Sequence, residues 1–407
     1  MSEQNVGEPV PAKIRLRDIA AKAYEEAWEA KKRGEMVGWC ASNFPQEIPQ
    51  TLGIKVVYPE NQAAAIAAKG GGLRMCEHAE GLGYSNDICA YARTSLAFLD
   101  IGSCEEMDMP QPDFVLCCNN ICNCMIKWYE NIAKERNIPM ILIDIPFKND
   151  YETDDASVEY IKAQFDHAMQ QLSEITGKPF SEKRFKEVMD VSQRTAKAWL
   201  RAAEFTKYVP SPLNGFDLFN HMAVAVCARG TVEAAEAFEQ LADEYEAAVK
   251  TGASTYKGEQ KYRVLFEGIA CWPYLRATSA PLKEHGINVT ATVYATAFGV
   301  LYNNTAEMMR AYSYVPNCVS LERAADMRIN VGRENKIDGA IIHTNRSCKL
   351  WSGIMPEVER RIRDTLHIPT VTFDGDQADP RVFSEAQYQT RIEALCEVMA
   401  ANKEAKA

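Results

Sequence analysis

The chain has 407 residues, of which 47% are hydrophobic and 25% are charged, and it carries a formal net charge of −11 at pH 7. Because a single hydrophobic core stops growing near ~250–300 residues, this length predicts two or three packed units. The acidic balance excludes the basic field that binds nucleic acid, and the sequence contains no run of about 18 apolar residues that would cross a membrane.

The N-terminal sequence predicts a cytoplasmic location and an opening helix. Its start, MSEQNVGEPVPAKIRLRDIA, lacks the apolar segment of a signal peptide. Residues 16–32 place Ile19, Ala23 and Ala27 at the spacing of an amphipathic helix. In a reducing cytoplasm, the 13 cysteines of the chain are not expected to form a disulfide framework.

The first part of the chain alternates short apolar runs with helical patterns, which is typical of βα units and a parallel sheet. The apolar runs are MVGWC at 36–40, IKVVYPE at 54–60, FVLCC at 114–118 and MILIDIPF at 140–147. From about 155 to 250 the sequence becomes rich in Lys, Glu and Ala with helical periodicity, interrupted by PSPLNG at 210–215. This change predicts a helical connector.

Apolar runs return in the last part, as RVLFEGIA at 263–270, NVTATVYA at 288–295, GAIIHT at 339–344 and TVTFDG at 370–375. We therefore predict an α/β protein with two Rossmann- or flavodoxin-like units, in which parallel sheets are flanked by helices. The first unit, with the opening helix, takes residues 1–154, the mainly helical connector takes 155–255 and the second unit takes 256–407. The two units could be structural duplicates, which one sequence does not establish.

Three cysteines share one local setting at the start of a predicted helix: Cys122 and Cys89 are expected in a first helical turn, and Cys348 at a strand-to-helix junction. Cys122 lies in CCNNICNC at 117–124, Cys348 in HTNRSCK at 343–349 and Cys89 in SNDICAYAR at 85–93. Unpaired backbone N–H groups and the positive end of the helix dipole favour a thiolate or an anionic cluster at such positions. Because ligands bind outside the carboxyl ends of strands in open α/β sheets, we expect the three to converge on one crevice. Their separations match neither a ferredoxin nor a zinc-finger spacing.

Helix capping refines this prediction. Asn119 or Asn120 is the expected N-cap of the helix that carries Cys122, and Asp87 is the expected N-cap before Cys89. Cys124 stands about 200° around the helix from Cys122 and should therefore face elsewhere.

The other cysteines favour a structural role, because cysteine is among the residue types most often buried. Cys117 and Cys118 belong to the apolar run FVLCC and are expected in the core. Cys271, which follows the run RVLFEGIA, is the best alternative ligand and competes with Cys89. The remaining cysteines are interpreted as structural: Cys40, Cys76, Cys104, Cys227, Cys318 and Cys396.

Polar residues at other strand ends are candidates for the same site. Ser42 follows MVGWC and could donate to a bound carbonyl, although a helix N-cap is an equally good interpretation. Glu60 could act as a general base, against the commoner alternative of a solvated loop carboxylate. The acidic loop FDGDQADPR at 373–381 could cap a site or bridge to a partner, or it could form ordinary Asx turns.

Several familiar sites are absent from the sequence. The sequence contains no HExxH or similar pair, so a mononuclear zinc or iron site built from histidines is not expected. Of the six histidines, only His343 is expected near the crevice. Neither a GxxxxGK[ST] loop nor a strand-linked GxGxxG occurs, and KGGG at 69–72 predicts a turn. The chain is therefore not expected to bind ATP or NAD in the usual way.

Six segments together resemble the 2-hydroxyacyl-CoA dehydratase family over nearly the whole chain: GWCASNFPQE, YPENQAA, CCNNICN, GFDLFNHM, NRSCK and FDGDQADPR. The resemblance implies the α subunit, whose [4Fe–4S] cluster binds substrate. The family's cluster ligands match Cys89, Cys122 and Cys348, which leaves one iron without a cysteine and decides for Cys89. Its serine and glutamate near the substrate match Ser42 and Glu60.

The resemblance also implies a reaction and its partners. Family members remove water from an (R)-2-hydroxyacyl-CoA through a ketyl radical and release an (E)-2-enoyl-CoA. GWCASNFPQE and EGIACWPYLR are most similar to members acting on phenyllactoyl-CoA, and then to those acting on 2-hydroxyisocaproyl-CoA. A related β subunit, a transient ATP-hydrolysing iron–sulfur activator and an anaerobic, amino-acid-fermenting host are expected. The alternatives are a related ATP-dependent acyl-CoA reductase and a non-catalytic electron-storage subunit.

Overall fold

The structure, a computed structural model, describes residues 10–147, 150–316 and 318–405. The first nine residues, on which the prediction of no signal peptide partly depends, lie outside these ranges. The α-helices are α1 (Ala12–Lys32), α2 (Glu47–Thr51), α3 (Pro59–Ala68), α4 (Gly72–Gly81), α5 (Ala90–Ile101), α6 (Cys124–Arg136), α7 (Asp155–Thr176), α8 (Glu182–Glu204), α9 (Phe216–Cys227), α10 (Val232–Thr251), α11 (Leu275–Glu284), α12 (Thr305–Tyr312), α13 (Leu321–Glu334), α14 (Lys349–Leu366) and α15 (Glu385–Glu404). Short 3₁₀ helices span Phe205–Lys207, Trp272–Tyr274, Thr296–Phe298 and Pro380–Val382.

The strands form two parallel sheets, which confirms the predicted α/β class. They are β1 (Val37–Cys40), β2 (Lys55–Val57), β3 (Phe114–Cys118), β4 (Met140–Ile143), β5 (Tyr262–Glu267), β6 (Ile287–Ala291), β7 (Gly339–Asn345) and β8 (Thr370–Gly375). Their order is β2-β1-β3-β4 in one sheet and β6-β5-β7-β8 in the other. Every pairing is parallel, so the two units share one topology. Each of the eight predicted apolar runs overlaps one of these strands, and β5, β6 and β7 each extend one residue beyond their run.

The centre of each sheet lies in the hydrophobic core. All five residues of β3 are buried, as are the first five of β7. Such continuous burial is expected of parallel strands that helices cover on both faces. Cys117 and Cys118 are fully buried in β3, as predicted.

The helices α7, α8, α9 and α10 follow the first sheet, within the segment predicted to be a helical connector. The opening helix α1 begins at Ala12, four residues before the predicted start, and packs against α9, α10 and β2. Its Lys22 forms an ion pair with Glu233 of α10, with 2.8 Å between Nζ and Oε1. Within the described ranges, no helix is both long and apolar enough to cross a lipid bilayer.

Candidate active site

A small cavity brings together the three cysteines that the sequence singles out. The cysteine cavity has a volume of about 80 Å³, and Cys89, Cys122 and Cys348 all line it. Its other polar lining includes Ser42 and Glu60. Residues that follow strands of both sheets therefore meet here, as expected at the carboxyl ends of parallel strands.

All three cysteines lie just before the start of a helix. Cys89 is the N-cap of α5 and Cys348 is the N-cap of α14, whereas Cys122 lies two residues before α6. The prediction that Cys89 and Cys122 stand in a first helical turn is therefore wrong by one or two residues. Asp87 is likewise not the N-cap of α5, because that position belongs to Cys89 itself.

Asn119 and Asn120 are not helix caps either, because their side chains fasten the loop between β3 and α6. The Asn119 Oδ1 accepts a hydrogen bond from the Ile145 backbone N–H at 2.7 Å. The Asn120 Nδ2 donates to the carbonyl oxygen of Tyr312 at 3.0 Å. Asn123 occupies the N-cap of α6 instead. The loop that carries Cys122 is thus held to the segment after β4 and to α12.

The environment of the three thiols works against a bare thiolate. Burial raises the pKa of Cys89 and of Cys122 well above the ordinary value, and raises the pKa of Cys348 to about 11. For each thiol, a hydrogen bond from the backbone N–H of the residue three positions later lowers the pKa and offsets part of this rise. These residues are Ala92 for Cys89, Met125 for Cys122 and Trp351 for Cys348. Buried thiols with N–H donors aimed at sulfur form thiolates readily only when a cation or metal joins them.

Cys124 corrects the sequence-based account. It lines the same cavity, although it was expected to face away from Cys122. The reason is that Cys122 lies before the helix, so a rotation of about 100° per residue does not relate the two positions. Burial raises the pKa of Cys124 as well.

Cys271 lies outside the lining of the cysteine cavity. It is buried before the 3₁₀ helix Trp272–Tyr274, and burial raises its pKa to about 12. A Cβ atom on Gly375 would stand 3.4 Å from its Sγ, which places this thiol against the end of β8. Of the two rivals, the structure brings Cys89 and not Cys271 to the cavity. The six cysteines predicted to be structural do not line it either.

The acidic loop 373–381 ties the two cysteine-bearing helix starts together. The buried Gln377 donates from Nε2 to the Ser347 Oγ at 2.8 Å and to the Cys89 Sγ at 3.5 Å. The Ser347 Oγ also accepts the backbone N–H of Ala90 at 2.9 Å. Asp376 accepts the Ser347 N–H through one carboxyl oxygen, and the N–H groups of Ala378 and Asp379 through the other, as in an ordinary Asx turn.

Sequence reasoning missed Gln377 and Ser347. The available signal was the density of turn-forming residues in the loop 373–381, at the end of β8, the strand that pairs with β7 before Cys348. A single sequence does not pair two loops that lie 288 positions apart, as Gln377 and Cys89 do.

Ser42 and Glu60 form a hydrogen-bonded unit at the edge of the cavity. The Ser42 backbone N–H and hydroxyl donate to the Glu60 Oε1 at 3.0 and 3.1 Å, and the Tyr129 hydroxyl donates to Oε2 at 3.1 Å. Glu60 is only 8% exposed, and burial raises the pKa of its carboxyl. The carboxylate is therefore neither solvated nor in a loop, since it lies in the first turn of α3.

The remaining candidate, His343, is not part of the cavity. It is fully buried, stacks on Phe373 with ring centroids 4.5 Å apart, and bonds through Nδ1 to the carbonyl oxygen of Ile269 at 2.6 Å. Burial lowers its pKa to about 4. His343 is therefore a neutral imidazole packed in the core, and it does not line the cysteine cavity.

Two buried indole donors in the lining bear on what the cavity could hold. Within the described residues, no group of three or more His, Cys, Asp or Glu is arranged to hold a metal ion. The indole N–H groups of Trp128 and Trp351, which both line the cavity, have no partner among the described residues. Because buried donors are nearly always partnered, these donors fit a group that brings sulfur acceptors.

Comparison with known proteins gives a consistent picture. A family model described as 2-hydroxyglutaryl-CoA dehydratase, D-component, matches residues 41–399. The chain is 65% identical to the (R)-phenyllactyl-CoA dehydratase alpha subunit of Clostridium sporogenes, with 97% of each chain covered. It is 48% identical to the (R)-2-hydroxyisocaproyl-CoA dehydratase alpha subunit of Clostridioides difficile, with 98% of each covered. One chain of the benzoyl-CoA reductase of Thauera aromatica is 24% identical, over 95% of this chain and 94% of its own.

Proposed function

Because the chain belongs to the 2-hydroxyglutaryl-CoA dehydratase D-component family, we propose that it is the α subunit of an iron–sulfur (R)-2-hydroxyacyl-CoA dehydratase. The substrate is an aromatic thioester such as phenyllactoyl-CoA, and the product is the (E)-2-enoyl-CoA. The 65% identity to a phenyllactyl-CoA dehydratase alpha subunit supports this substrate class over the others. The observation that carries the proposal is the meeting of three cysteines with Glu60 in one cavity.

Cys89, Cys122 and Cys348 are the proposed ligands of a [4Fe–4S] cluster that keeps one iron without a cysteine. Two of the three come from the first unit and one from the second, so cluster assembly depends on both. The N–H groups that oppose the rise in thiol pKa and the two unpartnered indole N–H groups support ligation, because Fe–S clusters accept hydrogen bonds at sulfur. Cys124 lines the same cavity and is the competing ligand that the structure adds.

Ordinary acid–base chemistry is not enough for this reaction, since the β-hydrogen of a 2-hydroxyacyl thioester is barely acidic. When bound, the cluster would act as a Lewis acid at the thioester carbonyl and would lend one electron, so that the substrate, as a ketyl radical anion, could lose hydroxide from C2 and then its β-proton, after which the electron would return to the cluster. The residues of this chain hold the substrate and move its protons.

Glu60 is the proposed proton acceptor and donor. Burial raises the pKa of its carboxyl, so the group can take a proton and return it nearer to neutral pH than an exposed glutamate can. Ser42 and Tyr129 hold the two carboxyl oxygens in place, and each hydrogen bond favours the charged form of the base. Ser42 also lines the cavity beside this carboxylate, where its hydroxyl orients the thioester.

The electron has to come from another protein, because the chain has no nucleotide-binding loop. We expect a transient ATP-hydrolysing iron–sulfur activator in the cytoplasm, together with a related β subunit. The name alpha subunit, which the dehydratase relatives carry, supports a heteromeric enzyme.

A related acyl-CoA reductase is the second candidate, supported by the 24% identity to a chain of a benzoyl-CoA reductase. Anaerobic turnover of (R)-phenyllactoyl-CoA by the chain with its partner subunit, activator and ATP distinguishes the two. We expect cinnamoyl-CoA to accumulate with far less than one electron consumed per molecule. Consumption of reductant in proportion to product would contradict the dehydratase, and a complex with a cluster but without turnover would indicate electron storage.

A further inference from the structure

A second, larger cavity opens beside the cysteine cavity. This outer cavity has a volume of about 560 Å³ and shares five lining residues with the cysteine cavity: Ser42, Glu60, Tyr91, Tyr294 and Phe298. The shared residues include the proposed proton acceptor. The two cavities are therefore neighbouring compartments on one route to Glu60.

The walls of the outer cavity suit a slender ligand. The helices α1 and α3 contribute the small side chains of Ala20, Ala64 and Ala68. The larger apolar side chains of Phe219 and Leu275 also line it. A cavity lined by small and by apolar side chains accepts an extended, mostly uncharged chain.

The charged lining of the outer cavity is almost entirely basic. Lys13 and Arg17 of α1 and Lys69 after α3 line it, and all three are exposed. The carboxylate in its lining is the buried Glu60, in the part shared with the cysteine cavity. Arg17 pairs with Asp18, which does not line the cavity. A cluster of cations at a cavity is unusual in a chain with a net charge of −11, and it attracts a polyanion.

We propose that Lys13, Arg17 and Lys69 bind the phosphate groups of the CoA moiety. The pantetheine arm then occupies the apolar part of the outer cavity, which α1, α3 and α9 line, and the thioester reaches Ser42 and Glu60. Arginine and lysine are the side chains that bind phosphate, and CoA carries a diphosphate and a 3′-phosphate at the end away from its thioester. This inference rests on the proposed function, because it takes a CoA thioester as the ligand.

Calorimetric binding to the anaerobic complex of this chain with its partner subunit tests the site. The probe is 3-phenylpropanoyl-CoA, which lacks the 2-hydroxyl and cannot be dehydrated, so its binding does not depend on turnover. The second probe is the same acyl group on pantetheine, which carries no phosphate. The variant is Lys13→Gln/Arg17→Gln/Lys69→Gln, and its control, Lys32→Gln/Lys183→Gln/Lys186→Gln, removes equal charge at exposed positions outside the cavity.

We expect the cavity variant to bind the CoA thioester about 10- to 100-fold more weakly at low ionic strength, with a smaller difference at high salt. Binding of the pantetheine thioester, and of both probes to the control, should stay unchanged. Equal affinity of the variant and the wild type for the CoA thioester would overturn the assignment, as would an equal loss for both probes. If phosphate-dependent binding holds but (R)-phenyllactoyl-CoA is not dehydrated, the proposed function fails and the phosphate site stands.

Discussion

The two α/β units have the same strand order but supply different chemistry to the site. Cys122 follows the third strand in sequence of the first sheet, and Cys348 follows the third strand of the second. At the other equivalent positions the units differ. Ser42 lies two residues after β1, where the second unit has Ile269 two residues after β5.

The next pair shows the same contrast. Glu60 lies three residues after β2, and Tyr294 lies three residues after β6. All six residues line the cysteine cavity. The topology therefore repeats the positions, while the first unit places the hydroxyl of Ser42 and the carboxyl of Glu60 where the second unit places Ile269 and Tyr294. One strand order fixes where a site forms, and the side chains at the strand ends decide what it does.

The largest effect should come where the two units are equivalent. We expect Cys122→Ala and Cys348→Ala to remove the proposed cluster from this chain to the same extent and to lower dehydratase activity by ~100-fold or more, because each variant would lack one of the proposed cluster ligands. Iron and acid-labile sulfide in the anaerobic complex measure this. Cys271→Ala is the control and should keep its iron. Loss of iron with Cys271→Ala and retention with Cys89→Ala would refute the ligand set.

Where the units differ, the effects should differ as well. Glu60→Gln should lower kcat by ~10²- to 10⁴-fold with the iron content intact, since it removes the proposed proton acceptor but keeps the shape of the side chain. Tyr294→Phe, at the equivalent position of the second unit, should lower kcat by less than about tenfold. Equal losses of kcat in the two variants would show that the units do not divide the chemistry in this way.

Gln377 connects the units, so its loss should weaken their association. Gln377→Leu removes the hydrogen bonds to the Ser347 Oγ and the Cys89 Sγ, and it should lower the free energy of unfolding of the iron-free chain by about 1–3 kcal/mol. Denaturant unfolding measures this, and Gln387→Leu on the exposed face of α15 is the control. A variant with unchanged stability and unchanged iron retention would show that the loop does not join the two units.

The smallest expected effect concerns the pH dependence of stability. Because burial raises the pKa of Glu60 in the folded chain above 4.5, folding favours its protonated form. The contribution of this protonation to the free energy of unfolding is fully present below pH 4.5 and is lost as the pH rises through the pKa of Glu60 in the folded chain. The wild type should therefore lose stability relative to Glu60→Gln over that interval, by about 1.4 kcal/mol per unit of pKa shift. Parallel stability profiles of the two iron-free chains would contradict this.

The fold followed from the sequence because parallel strands that are buried on both faces leave continuous apolar runs. β3 coincides with the run FVLCC, and β7 extends GAIIHT by one residue. The convergence of Cys122 and Cys348 followed from their placement after strands, which local patterning reveals.

Other features depended on contacts that a single sequence does not contain. Cys89 precedes α5 and follows α4 instead of a strand, so the rule of strand ends does not bring it to the cavity. Glu60 resembles an ordinary loop carboxylate until α3 buries it beside Tyr129. The orientation of Cys124 was mispredicted because the helix was expected to begin before Cys122.

Spectroscopy of the anaerobic complex during substrate addition tests the proposed site most directly. If Cys89, Cys122 and Cys348 hold a cluster with one iron open to the thioester, (R)-phenyllactoyl-CoA should change the Mössbauer spectrum of the complex. In the Cys348→Ala complex, which should lack this cluster, that change should be absent. A wild-type cluster whose spectrum stays the same at saturating substrate would contradict a substrate-binding iron in this cavity.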